Sequence, residues 1–323
     1  MKKRAARFCN PGIIAASALL LLAGVCLGEQ TAVFTVAAVQ AVSKLGNVSW
    51  NRAHLETMVR RAASAGANVV VLPETAITGY MSHDIKTTWQ VGLRRITHGL
   101  TGLDPRDAAE TIPGPSTRHF ARLAAELNIY LTVPLLEFDP RSGNYYNSVV
   151  LISPDTTYCG YYRKLNPWPF AERGWAAEGD LGHSIIDTPF GRMALLICFD
   201  INFEPPRLKQ LGVDHLLYPI AWVDAPQSDW FEKRLPAIAA KNDINIVGAN
   251  WTVPENFQPD WHGWGKTRII DRRGKILAKA ADDRAEEIVY ADLPIPDHVL
   301  NLPPATDTPK ETDAPAKSAI PKR

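Results

Sequence analysis

Cysteine is scarce in this chain, with four residues among 323. Cys9 and Cys26 lie within the first 28 residues, which leaves Cys159 and Cys198 for the remainder. Small domains held together by disulfides are dense in cysteine, so this composition excludes a disulfide scaffold. A single bridge between Cys159 and Cys198 stays open at this point, although it would block a thiol for which the flanking sequence offers a better role.

Motifs for metals, phosphates and nucleic acids are also missing. The eight histidines show no HxH or HExxH spacing and the cysteines form no CxxC pair, so we predict no metal site. No glycine-rich phosphate loop is present, and we expect no cofactor. The formal net charge of +1 lacks the basic excess that phosphate backbones attract, which argues against a nucleic-acid partner.

The first 28 residues have the pattern of a secretory signal. Four basic side chains precede an apolar stretch over 13–25, which is too short for a stable membrane span. Residues 23–26 resemble a bacterial lipobox, whereas 26–28 suit an ordinary cleavage site, so a lipid tether to the membrane at Cys26 stays open. We expect an exported protein, periplasmic or secreted. Removing the signal leaves 31 basic and 34 acidic side chains, a formal net charge of −3.

Helical and strand-like apolar patterns alternate after the signal. Leu55, Met58, Val59 and Ala62 recur at helical spacing before a short, β-branched apolar run. The predicted helices, each with the strand that follows it, are 50–65 with 68–72, 116–127 with 129–136, and 229–242 with 244–250. Further predicted strands are 32–40, 147–153, 185–187, 193–197 and 215–219, with a hairpin over 267–280. This alternation predicts an α/β domain whose strands are covered by helices.

Two segments depart from this pattern. Residues 303–323 are rich in Pro, Ala, Thr and Lys, and we predict that they are disordered. Residues 80–113 are long and polar, and they are interpreted either as a lid over a site or as a surface insertion. The expected organisation is a signal over 1–28, one domain over 29–302 and a disordered tail.

Three segments place reactive side chains at predicted strand ends. Glu74 follows the run 68–72, Lys164 precedes a loop broken by Pro167, and Cys198 follows the run 193–197. A free thiol is mostly protonated at neutral pH, so a nucleophilic cysteine needs a carboxylate to accept its proton. A fixed ammonium favours the thiolate and then the oxyanion that forms after attack. We therefore expect these three side chains to converge.

The same residues resemble the nitrilase superfamily of carbon-nitrogen hydrolases, whose members use a Glu-Lys-Cys triad. The segments 112–117 and 268–277 are similar to further motifs of that family, and the resemblance extends from residue 32 to about residue 292. It implies an α/β fold built as a four-layer α-β-β-α sandwich with two packed mixed sheets. It also implies a homodimer or a larger homo-oligomer.

Two branches of the superfamily resemble different parts of the chain. As in the aliphatic amidases, a glutamate, Glu172, follows the lysine at a distance of eight residues, which implies a fourth site residue that places substrate or water. The segments 198–203 and 218–222 look like the secreted vanin and biotinidase branch. Asn202 and Glu204 depart from the common family pattern, and they put the start and the ion pairing of the following helix in question.

The resemblance implies hydrolysis of a non-peptide amide through an acyl-enzyme on Cys198, with Lys164 and the Phe199 backbone N–H holding the oxyanion. A nitrile substrate, or a catalytically silent exported binding protein, is the alternative. Asp200 is expected to brace the turn after the nucleophile. The aromatic residues considered either for a substrate pocket or for the core are Tyr80, Trp168, Trp175 and Trp222.

Overall fold

A computed structural model describes residues 32–44, 46–80, 90–91, 94–95, 105–169, 172, 175–222, 228–252 and 265–301. Its strands, in chain order, are β1 Val33–Gln40, β2 Val69–Val71, β3 Gln90–Val91, β4 Arg94–Arg95, β5 Tyr130–Asp139, β6 Asn144–Ile152, β7 Tyr158–Arg163, β8 Ile185–Thr188, β9 Gly191–Leu195, β10 His215–Ile220, β11 Asn245–Asn250, β12 Arg268–Ile270, β13 Ile276–Lys279 and β14 Glu287–Pro294. Its α-helices are α1 Val48–Ser64, α2 Pro115–Leu127, α3 Pro205–Gln210, α4 Leu235–Asn242 and α5 Asp297–Leu300. Short 3-10 helices cover Pro105–Ala108 and Cys198–Asn202, and a π-helical turn, Trp230–Arg234, precedes α4.

Twelve of these strands form two mixed sheets. The first sheet has the order β14-β1-β2-β5-β6-β7, and the second has the order β13-β12-β11-β10-β9-β8. Strands β1, β2 and β5 are parallel to one another, as are β9, β10 and β11, whereas the outer strands of both sheets run antiparallel. Parallel strands need helical crossovers, which explains why both sheets carry helices.

Alternate side chains of the first sheet face different layers. Val69 and Val71 belong to the apolar cluster that also contains β10 and β11 of the second sheet. Val70, between them, packs in another cluster with Leu55 of α1 and Phe120 of α2. Because successive side chains of a strand point to opposite faces, a continuous apolar run is the pattern of a strand buried on both sides.

The helices complete the outer layers. The predicted apolar stripe of α1 is buried against the first sheet, as expected from its helical spacing. Helices α3 and α4 pack on the second sheet through Leu208, Leu235 and Ala239. The order of layers is therefore helix, sheet, sheet, helix, which confirms the predicted α-β-β-α sandwich.

The structure corrects several predicted elements. The strand before the nucleophile ends at Leu195, so Cys198 lies in the 3-10 helix that follows the strand and not at its last residue. Strands β7 and β14 were not predicted, because Tyr158–Arg163 contains a glycine and Glu287–Pro294 is only partly apolar. The helix predicted over 229–242 begins as a π-helical turn. The hairpin over 267–280 is confirmed as β12 and β13.

Some predictions concern residues outside the ranges that the structure describes. The signal over 1–28 and the tail over 303–323 lie outside the described residues, as does most of the polar segment 80–113. The domain boundaries at 29 and 302 therefore stay predictions. No helix in the described part of the chain is long and apolar enough to cross a membrane.

Candidate active site

Glu74 lies between the two sheets, three residues after β2. Its backbone N–H donates to the carbonyl of Ile220 at the end of β10 (3.2 Å), and its carbonyl accepts from the Trp251 indole N–H (2.8 Å). The next residue, Thr75, has a positive φ of 49°, which turns the chain sharply after the strand. The carboxylate is fully buried, so it depends on neighbouring donors.

Lys164 follows β7 and supplies the charged donor. Its Nζ is 2.7 Å from Oε1 of Glu74 and 2.7 Å from Oε1 of Glu172. All three side chains are fully buried. The Lys164 backbone N–H donates to the carbonyl of Asn147 on β6 (2.8 Å), which places the lysine in register with the first sheet.

Glu172 is held by the loop that follows Lys164. Its Oε2 accepts from the Trp168 backbone N–H (2.8 Å), and its own backbone N–H donates to the Trp168 carbonyl (3.1 Å). The Tyr80 hydroxyl donates to Oε1 at 3.0 Å. The glutamate predicted as a fourth site residue therefore shares the ammonium of Lys164 and is not a solvated loop carboxylate.

Cys198 begins the 3-10 helix that follows β9. Its φ is +41°, a left-handed backbone conformation that is unfavourable for a residue with a side chain. The Tyr218 hydroxyl donates to the Cys198 carbonyl at 2.7 Å, which helps to hold this conformation. The residue is 7% exposed. Cys159 and Cys198 are both free thiols, so the disulfide left open by the sequence is not formed.

Asp200 ties the cysteine segment to the lysine segment. Its Oδ1 accepts from the backbone N–H and the side-chain amide of Asn166 (2.8 and 2.9 Å). Its Oδ2 accepts from the Tyr162 hydroxyl (2.8 Å) and the Ile197 N–H (3.3 Å). Four donors thus meet a group that is only an acceptor when ionised. The structure supports the prediction that Asp200 braces this turn.

The buried charges shift one another's protonation. Burial raises the pKa of Glu74 to about 7, the charge of Lys164 opposes this shift, and the charge of Glu172 adds to it. Burial alone would lower the pKa of Lys164, but Glu172 and Glu74 outweigh it and hold that pKa above its usual range. At pH 8 the ammonium therefore faces ionised Glu74, while below pH 7 Glu74 increasingly carries a proton.

The thiol of Cys198 belongs to the same electrostatic group. Burial, and then the charge of Glu74, raise its pKa well above the usual range, while Lys164 and the backbone N–H of Ala221 lower it. The resting thiol is therefore neutral at pH 8 and requires a base. Nζ of Lys164 contacts Glu74, and the charges of both residues act on the Cys198 thiol. The catalytic roles of the three residues stay predictions.

The predicted pocket aromatics lie in different places. Tyr80 is buried against Glu172, and Trp222 follows Ala221 and stacks on Trp230 with ring centroids 4.2 Å apart. Trp168 is half-buried and holds Glu172 through its backbone. Trp175 packs in a small apolar cluster with Ala108 and Leu136, which is a core environment.

Sequence reasoning missed three residues of this site. Asn147 donates to both carboxylates, Trp251 holds the backbone of Glu74, and Tyr218 holds the backbone of Cys198. Asn147 and Tyr218 lie within strands β6 and β10, and Trp251 directly follows β11. The one sequence signal that could have identified Asn147 is the alternation of side chains along a strand, because it places Asn147 on the same face as Val149.

Asn202 and Glu204, the two departures from the family pattern, make contacts next to helix α3. Glu204 directly precedes α3, which starts at Pro205, a favourable first helical residue. The Glu204 carboxylate contacts the His183 ring at 2.8 Å and the Asn166 side-chain amide at 3.0 Å. Asn202 donates to the Phe199 carbonyl at 2.9 Å. Helix α3 therefore forms, and His183 and Asn166 are the side-chain partners of Glu204.

Within the described residues, no group of three or more His, Cys, Asp or Glu side chains is arranged to hold a metal ion. Oε1 of Glu74 and Oε1 of Glu172 already share the ammonium of Lys164. The arrangement suits transfer of a thiol proton to a carboxylate, followed by stabilisation of an oxyanion by an ammonium.

Residues 35–298 match the carbon-nitrogen hydrolase family. The chain belongs to this family and thus to the nitrilase superfamily, as the sequence motifs predicted. Its class is a carbon-nitrogen hydrolase.

Relatives with known names agree with this class. Omega-amidase NIT2 of Homo sapiens is 28% identical over 250 residues, which cover 73% of this chain and 80% of the relative. N-carbamoylputrescine amidase of Solanum lycopersicum is 28% identical, covering 82% and 87%. An aliphatic nitrilase of Sinorhizobium fredii (strain HH103) is 27% identical, covering 80% and 86%. Amidases and a nitrilase are thus similar to this chain at nearly equal identity.

Solved structures share the fold. Nit3 of Saccharomyces cerevisiae aligns with a TM-score of 0.63 and 23% identity, covering 81% of this chain and 90% of the other. An amidase variant from Nesterenkonia sp. AN1, with the acetamide moiety of fluoroacetamide added covalently at its active-site cysteine, aligns with a TM-score of 0.67 and 17% identity, covering 84% and 95%.

We expect Asp200→Asn to lower the free energy of unfolding by about 1–3 kcal/mol at pH 8, because the new amide would point a donor at donors. Chemical denaturation measures this difference. Asp187→Asn is the matched control, since Asp187 is 82% exposed in its ion pair with Arg192, and its effect should stay within about 0.5 kcal/mol. Equal stability of the two variants would contradict the bracing role of Asp200.

Proposed function

We propose that this chain is a thiol hydrolase that cleaves a non-peptide amide C–N bond through an acyl-enzyme on Cys198. The products are a carboxylic acid and an amine or ammonia. The observation that carries the proposal is the buried ammonium of Lys164 shared by Glu74 and Glu172, in electrostatic contact with the thiol.

Attack on the amide begins with removal of the thiol proton. Glu74 accepts this proton at Oε2, a buried oxygen for which the described residues provide no hydrogen-bond partner. The sulfur of Cys198 forms a bond to the amide carbon, and the carbonyl π electrons move to the oxygen. Lys164 has three N–H donors, two of which meet carboxylates, so the third is available to the oxyanion together with the Phe199 backbone N–H.

Collapse of the tetrahedral intermediate breaks the C–N bond. Glu74 returns the proton to the departing nitrogen, which leaves as a neutral amine or ammonia, and a thioester remains on Cys198. A water molecule, placed with the help of Glu172, then loses a proton to Glu74 and attacks the thioester. The thiolate of Cys198 leaves, which releases the carboxylic acid. The thiolate then regains a proton from Glu74. No cofactor takes part in this scheme.

Aromatic residues next to the site are proposed to line the substrate pocket. Tyr80 and Trp222 are the best placed, because Tyr80 contacts Glu172 and Trp222 follows Ala221, whose N–H faces the thiol. Trp168 borders the same loop through its contact with Glu172. The packing of Trp175 against Leu136 favours a role in the core instead of the pocket.

A nitrile substrate is the second candidate, favoured by the similarity to an aliphatic nitrilase. The same thiol can add to a C≡N carbon, and two waters then give the acid and ammonia. Glu172 favours an amide as the substrate, because the aliphatic amidases have a glutamate at the same sequence spacing from the lysine. Turnover of nitriles with no turnover of any amide would reverse this preference.

We further propose that residues 1–28 direct export, that lipidation at Cys26 would tether the protein to a membrane, and that the protein forms a homodimer or larger homo-oligomer. The support is the signal-like sequence and the family resemblance. Intact mass of the protein isolated from a bacterial host should show loss of the signal. A chain that keeps Met1–Gly28 and remains in the cytoplasm would contradict export.

We expect fluoroacetamide or a reactive amide to give a covalent adduct on Cys198, detected by intact-mass spectrometry and peptide mapping. Cys198→Ala should lose the adduct and lower amide turnover by about 10⁴-fold or more, because the nucleophile is gone. Cys159→Ala is the matched control and should keep both. The absence of an adduct in every protein would favour a silent binding protein, whereas an adduct that persists in Cys198→Ala would show that another residue is the nucleophile.

We expect kcat/KM to fall as the pH falls below about 7, because Glu74 must be ionised to accept the thiol proton and its pKa is raised to about 7. The loss should approach tenfold per pH unit well below this value. Glu74→Gln should abolish turnover across the range, since the amide is not a base. A pH profile that stays flat from 5 to 8 would exclude Glu74 as the base.

A further inference from the structure

Asn147 has a contact pattern that the proposed mechanism does not use. It lies on β6 and is 1% exposed. Its Nδ2 donates to Oε1 of Glu74 at 2.7 Å and to Oε1 of Glu172 at 2.9 Å. The same two oxygens accept from Nζ of Lys164. One neutral donor and one charged donor therefore hold the same pair of carboxylates.

This pair of carboxylates poses an electrostatic problem. With both ionised, Glu74 and Glu172 carry two negative charges against the single positive charge of Lys164. Like charges in a buried site drive one carboxylate to hold a proton. A second ammonium would relieve this repulsion but would also change the charge of the site. An amide N–H favours the ionised carboxylates without adding charge.

We propose that Asn147 is a positioning residue that occupies Oε1 of both glutamates, keeps them together around Lys164 and leaves Oε2 of Glu74 to receive the thiol proton. This inference rests on the proposed function, because it assigns Glu74 the part of the base. Asn147 acts through Glu74 and does not itself touch the reacting atoms.

The backbone of Asn147 contributes to the same arrangement. Its carbonyl accepts from the Lys164 backbone N–H at 2.8 Å, so one residue sets both the lysine main chain and the carboxylates that the lysine meets. The orientation of the amide follows from chemistry, since Oδ1 would be repelled by two acceptors. Oε1 of Glu74 then has two donors and Oε2 has none among the described residues.

Other titratable groups face Glu74 as well. The charges of Lys164 and Glu172 act on Glu74. The charge of Glu74 in turn acts on Cys198, Tyr80 and Tyr218. Burial raises the pKa of both tyrosines well above the usual range, so they stay neutral between pH 5 and 9. The hydrogen bond from the neutral side chain of Asn147 lowers the pKa of Glu74.

The test is the pH dependence of alkylation of Cys198 by iodoacetamide, followed on the peptide that carries this residue. We expect the wild-type rate to fall below about pH 7. In Asn147→Ala the fall should begin about one pH unit higher, because a hydrogen bond to an ionised carboxylate is lost. The rate at pH 7 should then drop about five- to tenfold. Alkylation of Cys159 in the same samples reports general loosening of the fold.

Asn147→Asp separates hydrogen bonding from packing. This variant keeps the shape of the side chain but replaces the donor with a carboxyl group. If Asn147 only filled space, Asn147→Asp would behave like the wild type. We expect its fall in rate to begin at least as high in pH as in Asn147→Ala, because the new carboxyl group disfavours the ionised form of Glu74.

Ser148→Ala is the matched control. Ser148 is the next residue of β6 and is also fully buried, but its hydroxyl donates to Glu137 (2.6 Å), away from the glutamates of the site. The fall in rate should begin at the wild-type pH. The same pH dependence in all four proteins would overturn the inference. Failure of the wild type to hydrolyse any amide would instead refute the proposed function, and the alkylation comparison would still decide the role of Asn147.

Discussion

The buried ammonium of Lys164 is the interaction on which the site depends. A charge removed from water has to be paired, and here two carboxylates, Glu74 and Glu172, meet it at 2.7 Å each. The pairing leaves an excess of one negative charge in a dry environment. Burial raises the pKa of Glu74 to about 7, and the charge of Glu172 adds to this shift while Lys164 opposes it. The same burial that costs folding energy thus provides a carboxylate whose proton affinity suits a base near neutral pH.

The nucleophile comes from the other sheet. Lys164 follows β7 of the first sheet, whereas Cys198 follows β9 of the second sheet, and the hydrogen bond from Glu74 to Ile220 spans the gap. Asp200 joins the two sides, because it binds donors from the segments before Cys198 and after Lys164. The left-handed φ of Cys198 is sustained by these contacts. Face-to-face packing of the sheets is therefore a condition for the site as well as for the core.

The accuracy of sequence reasoning differs between kinds of element. The buried face of α1 and the strand before Glu74 were predicted, because the spacing of apolar residues in the sequence agrees with their burial in the structure. Strand β14 was missed because Glu287–Pro294 is only partly buried, and it becomes a strand through pairing with β1 over eight residues. The end of β9 was misplaced by two residues, since Ile197 is as apolar as the strand before it although the pairing of β9 with β10 stops at Leu195.

The sequence by itself determined the chemical types of the site, Glu74, Lys164, Glu172 and Cys198, and the alternation of strands and helices that covers both sheets. Only the tertiary structure decided that Lys164 is shared by both glutamates and that Asn147 completes the pair. The reason is physical: residue type and spacing report what a side chain can do and which way a strand faces. The partners of a buried charge come from segments distant along the chain, and only the packing of the sheets brings them within hydrogen-bonding distance.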